Sequence, residues 1–225
     1  TDSFCHANIG PYATKAGQII LEVERELENA TPNITLKYSE VTPKAFAIEG
    51  IKTALKTAKP SFANDKMFTQ DLGNYGIASC YNGLPVGGGA HTLVRMNLVK
   101  LAHTAKSVED FFEVKLPQAM AAMAEYIEER IRFLVEESTF FETHFLVKEQ
   151  FIRKDNFTSM FGLVGLAECV NHLLGATAKE ERFGHSKEAD ALGLRIIETM
   201  HGFIETHPSP NCKATNEKLL LHAQV

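Results

Sequence analysis

Apolar residues recur every three or four positions through Ala16, Ile19, Ile20, Val23 and Leu27, with Glu and Arg between them, which predicts an amphipathic helix. The period changes at Ile34, Leu36 and Tyr38, where alternation predicts a short strand. Thr42-Pro43 has the form of a helix start, an N-cap followed by proline at the first helical position. The helix it opens is expected to bury Ala47, Ile51, Ala54, Leu55 and Ala58 before Pro60 stops it. Ser61 to Asp65 reads as a strand with a polar tip, and Tyr75 to Ser79 as a second, mostly buried strand. A glycine-rich loop follows, and then Thr92 to Leu98 as another strand.

Beyond that point the pattern is mainly helical. Ser107-Val108-Glu109-Asp110 resembles a capping box. One stripe runs through Met120, Met123, Ala124, Ile127, Ile131, Leu134 and Val135; a second through Leu163, Leu166, Ala167, Val170, Leu173 and Leu174; a third from Ala189 through Leu192, Ile196 and Met200 to Ile204. The Met120/Met123 stripe is read as core. His144 to Val147 and Leu219 to His222 read as further strands. Strands separated by helices predict a helix-rich α/β architecture with helices packed on a sheet or half-barrel. No repeat or low-complexity linker marks a boundary, so residues 1–225 are expected to form a single region.

Composition narrows the class of function. With 225 residues, 44% of them apolar, the chain can bury a substantial core. A net charge of −5 with interleaved lysines argues against nucleic acid or an anionic membrane as partner. No apolar run approaches the roughly 20 residues that span a bilayer, and residues 1–11 do not read as a signal peptide. The four cysteines, Cys5, Cys80, Cys169 and Cys212, lack metal-knuckle spacing, so no metal site is expected and a reducing cytoplasm is the expected location. The chain opens without Met and closes on the apolar run 219–225, which reads as a strand in progress; the expectation is an internal piece of a larger protein.

Six of the 15 glycines fall between Gly73 and Gly89, around Cys80. A cysteine between a strand and a Pro/Gly loop is placed for reaction, although a small buried core thiol fits the same spacing. Gly87 to Gly89 lead into a strand, not a helix, which argues against a phosphate loop. His6 is next to Cys5, poor geometry for a nucleophile and its base. Glu168, inside an apolar helix, either finds a partner or lies on a solvent-facing edge. A thiol hydrolase using Cys80 with His6 or His91, and a non-catalytic α/β module binding a ligand or partner, remain open on these residues alone.

Several motifs, in order, resemble the glycyl radical enzymes and within them the YjjI-type branch. They are His6-Ala7-Asn8-Ile9-Gly10-Pro11, Ala63-Asn64-Asp65 with Lys66-Met67-Phe68, and Tyr75-Gly76-Ile77-Ala78-Ser79-Cys80-Tyr81-Asn82. Thr92-Leu93-Val94-Arg95, Phe145-Leu146-Val147-Lys148-Glu149, Met160-Phe161-Gly162 with Gly165-Leu166-Ala167-Glu168, and Leu221-His222-Ala223-Gln224 continue the match along the chain. The resemblance implies part of a ten-strand barrel, half-barrel strands wrapped by helices, with Cys80 on an interior loop as the thiyl residue. Tyr81, Asn82, His6, Asn8 and Asn64 would face a small polar substrate. It further implies a glycyl radical on a C-terminal glycine, in a pattern like Arg-Val-x-Gly-Tyr that this chain does not contain, so no cofactor is expected on the piece itself and the piece alone is expected to be inactive. A radical S-adenosylmethionine activating enzyme is the implied partner and a homo-oligomer the implied assembly. Ser79 stands where the formate-lyase branch has a second cysteine, and Asn82 where the dehydratase branch has the glutamate of Cys-x-Glu.

Overall fold

The computed structural model describes residues 5–29, 31–78 and 82–223. They group into two compact units, Thr1–Val86 and Gly87–Val225, a division that no linker in the sequence marks.

The first unit opens with β1 (His6–Ile9), α1 (Lys15–Leu27), β2 (Asn33–Tyr38), α2 (Lys44–Thr57) and β3 (Ser61–Asn64). The three strands form a parallel sheet in the order β1-β2-β3, with Asn8 opposite Thr35 and Thr35 opposite Ser61. Side chains alternate across a strand, so the two faces separate by chemistry. Ile9, Ile34 and Leu36 pack with Leu21 of α1 and Phe46 of α2 in one buried cluster. The opposite face carries His6, Asn8, Thr35, Lys37 and Ser61. Helix α2 starts one residue later than expected: Pro43 is the N-cap, without a side-chain cap, and Thr42 Oγ1 accepts from Ser39 N–H at 3.0 Å instead. Its buried residues are Phe46, Ala47, Gly50 and Thr53, not the stripe through Ile51 and Leu55, which are 49% and 85% exposed. The cause is close approach to the sheet at Gly50, where a Cβ would stand 2.8 Å from Leu36 Cδ1.

After α3 (Asp65–Leu72), β4 (Tyr75–Ala78) and β5 (Asn82–Pro85) form an antiparallel hairpin with Ala78 opposite Asn82. The strand expected over Tyr75–Ser79 is present over Tyr75–Ala78, Ser79 lying outside the described residues, and β5 lies inside what reads as a glycine-rich loop.

The second unit holds β6 (Gly89–Asn97), α4 (Leu98–Thr104) and α5 (Val108–Asp110). Ser107 Oγ accepts from Asp110 N–H at 3.1 Å, one half of the capping box the sequence predicts; the Asp110 carboxylate accepts from Lys106 N–H at 2.8 Å and not from Ser107. A π-helical turn (Phe111–Lys115) leads into α6 (Leu116–Arg132) and a second one (Phe133–Glu137) follows. His144–Val147 is not a strand: α7 (Phe140–Thr143) and α8 (Phe145–Lys148) occupy that stretch, with His144 between them. Then come β7 (Phe157–Val164), α9 (Leu166–Leu174), α10 (Lys187–Thr206) and β8 (Leu220–Ala223). Leu163, expected in a helical stripe, belongs to β7, and the helix begins only at Leu166. The sheet β6-β7-β8 is again parallel. Val94, Met96, Phe161, Leu163 and Leu221 join the main core with residues of α6, α9 and α10. Each unit therefore holds an open parallel sheet with its main apolar cluster on one face, as in a partial barrel.

Candidate active site

The chemistry-bearing residues of the first unit stand on the sheet face opposite α1 and α2. His6 Nε2 is 2.8 Å from Thr35 Oγ1, and Thr35 Oγ1 is 2.7 Å from Ser61 Oγ, a polar chain across all three strands. Gly10 closes β1 with φ +78°, and a Cβ there would lie 2.4 Å from Lys37 O, so only glycine lets the strand end so near β2.

The β4–β5 hairpin is fastened to this face by side chains. Asn8 Nδ2 donates to Ile77 O at 2.8 Å, and Ile77 N–H donates to Asn8 Oδ1 at 2.8 Å. Lys37 Nζ donates to Tyr75 O at 2.7 Å and sits 3.9 Å from the centre of the Tyr75 ring. The Tyr75 hydroxyl donates to Asp65 Oδ1 at 2.9 Å. Burial, then the Asp65 carboxylate, push the Tyr75 phenol up, so it stays protonated. Desolvation lowers the Lys37 ammonium, opposed by Asp65. Below the hairpin, Phe68 stacks on Tyr75 with centroids 5.0 Å apart, and Gly83 leaves room for it: a Cβ there would be 2.3 Å from the Phe68 ring.

Ser79, Cys80 and Tyr81, which follow β4 and precede β5 in the sequence, lie outside the described residues. Asn82 opens β5, and its Oδ1 is buried with no donor reaching it. Asn64 is the N-cap of α3, its side chain accepting from Met67 N–H at 3.1 Å. His6, Asn8 and Asn82 thus share the first unit with the hairpin, but the Asn8 amide is committed at both ends to Ile77, and Asn64 Oδ1 to a helix cap.

The second unit shows residues the sequence did not single out. On the face opposite its core, Arg95, Gly162 and His222 stand in one row across β6, β7 and β8. A Cβ at Gly162 would be 2.8 Å from Arg95 Cγ, so glycine lets the arginine stem cross the strand. Burial, then Arg95, lower the His222 imidazole, and its Nδ1 is buried without a hydrogen bond. The only signal for this row in the sequence is that its members fall in three of the resembling motifs.

His91 Nδ1 is 3.0 Å from Thr158 O, and burial pushes its pKa down to about 4, which makes it a poor general base near neutral pH. Glu168 is exposed. Cys5 is exposed, whereas Cys169 and Cys212 are buried free thiols, Cys169 pushed up to about 12 by burial. Among the described residues there is no group of three or more His, Cys, Asp or Glu able to hold a metal ion, and no helix long and apolar enough to cross a membrane.

Comparison with known proteins bears on the family and the fold. The family profile of the YjjI-like glycyl radical enzymes matches residues 1–225. An uncharacterised protein of Haemophilus influenzae is 45% identical over 226 residues, covering 100% of this chain and 44% of the relative. Uncharacterised protein YjjI of Escherichia coli is 40% identical, covering 99% and 43%. The chain therefore spans less than half the length of these relatives. Among solved structures, one titled for 1,2-propanediol dehydration in Roseburia inulinivorans superposes with a TM-score of 0.71 at 11% identity, covering 98% of this chain and 39% of that one. The glycerol-bound B12-independent glycerol dehydratase of Clostridium butyricum gives 0.68 at 12% identity, covering 98% and 38%. The anaerobic ribonucleotide reductase of Thermotoga maritima gives 0.65 at 10%, covering 92% and 38%. At such identities the likeness is one of fold.

Proposed function

From the premise that the chain belongs to the YjjI-like glycyl radical enzyme family, we propose that it presents the hydrogen-abstracting cysteine of such an enzyme, Cys80, between strands β4 and β5. The observation that carries this reading is the attachment of that hairpin, through Asn8 and Lys37, to the polar sheet face opposite α1 and α2. A thiyl residue has to be held in a fixed place and shielded from water.

In the whole protein the glycyl radical supplies the site's oxidant by taking the hydrogen atom of the Cys80 thiol. The place where a side chain at Gly76 would stand is open, with no atom within 4 Å, which leaves room for another segment to approach the hairpin. Cys80, once a thiyl, takes a hydrogen atom from a substrate C–H and later returns it from its S–H to the product radical, so the cysteine ends as it began. Asn82 offers its buried Oδ1 to a substrate hydroxyl or amine, with Tyr81 and His6 flanking a small polar substrate. Ser79 cannot hold an acyl group as a thioester, and the Asn82 amide cannot remove a proton. The reaction is therefore neither acyl transfer of the formate-lyase kind nor elimination assisted by a glutamate in this loop. The activating partner is a radical S-adenosylmethionine enzyme, the location the cytoplasm and the assembly a homo-oligomer.

The test needs no substrate. A full-length protein carrying this segment is activated anaerobically and transferred to D2O. Its S–D passes deuterium to the radical glycine and takes hydrogen back, so the electron paramagnetic resonance doublet collapses to a singlet. Cys80→Ala should keep the doublet and abolish the collapse; collapse at the wild-type rate in Cys80→Ala sinks the proposal. The same activated protein should not turn over pyruvate with coenzyme A, glycerol, propanediol or choline. Efficient turnover of any of these, lost in Cys80→Ala, would show that Ser79 and Asn82 are misread.

A further inference from the structure

The hairpin's two edges are satisfied in different ways. The Ala78–Asn82 and Gly76–Leu84 pairs lie toward β5, and Val86 N–H donates to Asn74 O at 2.9 Å in the same alternation. By the parity of an antiparallel ladder, the N–H and C=O groups of Tyr75 and Ile77 point away from β5. Pro85, opposite Tyr75, has no N–H to donate there in any case. On that outer edge a neighbouring strand would normally follow. Here one side-chain amide, Asn8, takes both polar groups of Ile77, and one ammonium, Lys37, takes the carbonyl two residues earlier.

We infer that Asn8 and Lys37 are positioning residues: together they set the register of β4 against the first sheet and so aim the connection that carries Cys80. This rests on the reading of Cys80 as the hydrogen-abstracting residue. Burial alone does not fix that register. Tyr75 and Ile77 are each 3% exposed and pack with Ala63, Phe68 and Leu72, but apolar contact is non-directional. A two-point amide bond to one residue, with a third bond two residues away, is directional and pins the strand lengthwise as well as sideways. Hydrogen-atom transfer needs that precision, because a displacement of about 1 Å in the reacting groups costs on the order of 100-fold in rate. The sequence separation of Asn8 from Ile77, 69 residues, makes this a tertiary device rather than a local turn.

The experiment is the D2O exchange of the glycyl doublet in full-length activated protein, with radical yield per subunit and unfolding temperature measured on every variant. Asn8→Ala loses all the Ile77 contacts. Asn8→Asp keeps the shape and the acceptor but sets a carboxylate against Ile77 O. Both should accumulate radical yet collapse about ten-fold or more slowly than wild type, in line with a sub-ångström displacement. Lys37→Met should slow the collapse, and Lys37→Arg, which still donates to Tyr75 O, should restore it; a purely structural role would move the unfolding temperature without this pattern. If the Asn8 variants take up no radical, Lys37→Met decides, since it leaves both Asn8 bonds in place. Wild-type exchange in Asn8→Ala and Asn8→Asp, or in Lys37→Met where those two carry no radical, overturns the inference. The premise fails separately: collapse in Cys80→Ala removes the cysteine reading, whereas no collapse there with unslowed positioning variants removes only the inference.

Discussion

At the scale of single residues, burial decides which titratable groups can act. His91 keeps one nitrogen on Thr158 O while its Nε2 is buried without a partner. Its pKa falls to about 4 in the folded chain against about 6.5 when unfolded. Between these values the unfolded chain binds more protons, so this contribution to stability is complete above about pH 6.5 and is lost as pH falls toward 4. His222, lowered for the same cause, acts with the same sign. His91→Gln should therefore flatten the decline of the melting temperature between pH 6.5 and 4.5; parallel curves for variant and wild type would refute the assignment. Asn8 and Asn64 show the same selectivity in hydrogen bonding. Both are polar residues in resembling motifs, yet Asn64 caps a helix while Asn8 holds a strand 69 positions away.

At the scale of elements, one buried ion pair ties the first unit together. Lys59, which precedes Pro60 and β3, meets Glu24 of α1 with side-chain exposures of 6% and 5%. Its ammonium also donates to Asn29 O at 2.7 Å and Pro32 O at 3.0 Å, two carbonyls that come shortly before β2. One side chain thus fixes α1, the entry to β2 and the entry to β3. Lys59→Met should cost about 3–5 kcal/mol, because it strands a buried carboxylate, and adding Glu24→Met should recover much of the loss. Urea unfolding of the two variants checks this; equal stability of Lys59→Met and wild type would mean that Glu24 finds water or another donor. In the second unit the corresponding fixed point is steric. A Cβ at Gly88 would fall 1.8 Å from Asn156 O, so the start of β6 and the turn before β7 approach as backbone against backbone.

At the scale of the whole chain, two parallel sheets stay open. Among the described residues β1 and β3 border one sheet, and β6 and β8 the other, each with a strand neighbour on one side only. Large apolar side chains also stand exposed, Leu55, Phe145 and Phe151 among them. Unpaired edges and apolar surface favour association. Expressed alone, residues 1–225 should self-associate and bind a hydrophobic dye, whereas the same segment within a full-length protein should not. Light scattering and dye fluorescence decide it, and a monodisperse, dye-silent monomer of the isolated chain would mean that these surfaces are tolerated in water.

What the sequence determined by itself was the material each local stretch is made of. The alternation of Ile34, Leu36 and Tyr38, the helical period of α1 and the Ser107 cap depend on neighbours within a few positions, and all three occur in the fold, although α1 buries Gly17, Leu21 and Glu24 while Ile19, Val23 and Leu27 of its apolar stripe stay exposed. The ordered motifs around His6, Tyr75 and Leu221 were enough for the family. Elements whose environment is supplied from afar were not legible. Strand β7 is buried along seven of its eight residues, so it has no alternation to read, and Thr158 and Ser159 make it look like a loop. Strand β5, Asn-Gly-Leu-Pro, is a strand only because β4 pairs with it. The buried face of α2 was settled by Gly50 meeting Leu36, and Asn8 became a clamp because folding carried Ile77 to it. A side chain's chemistry is written at its own position, but its partner is chosen by which surfaces the packed core brings together.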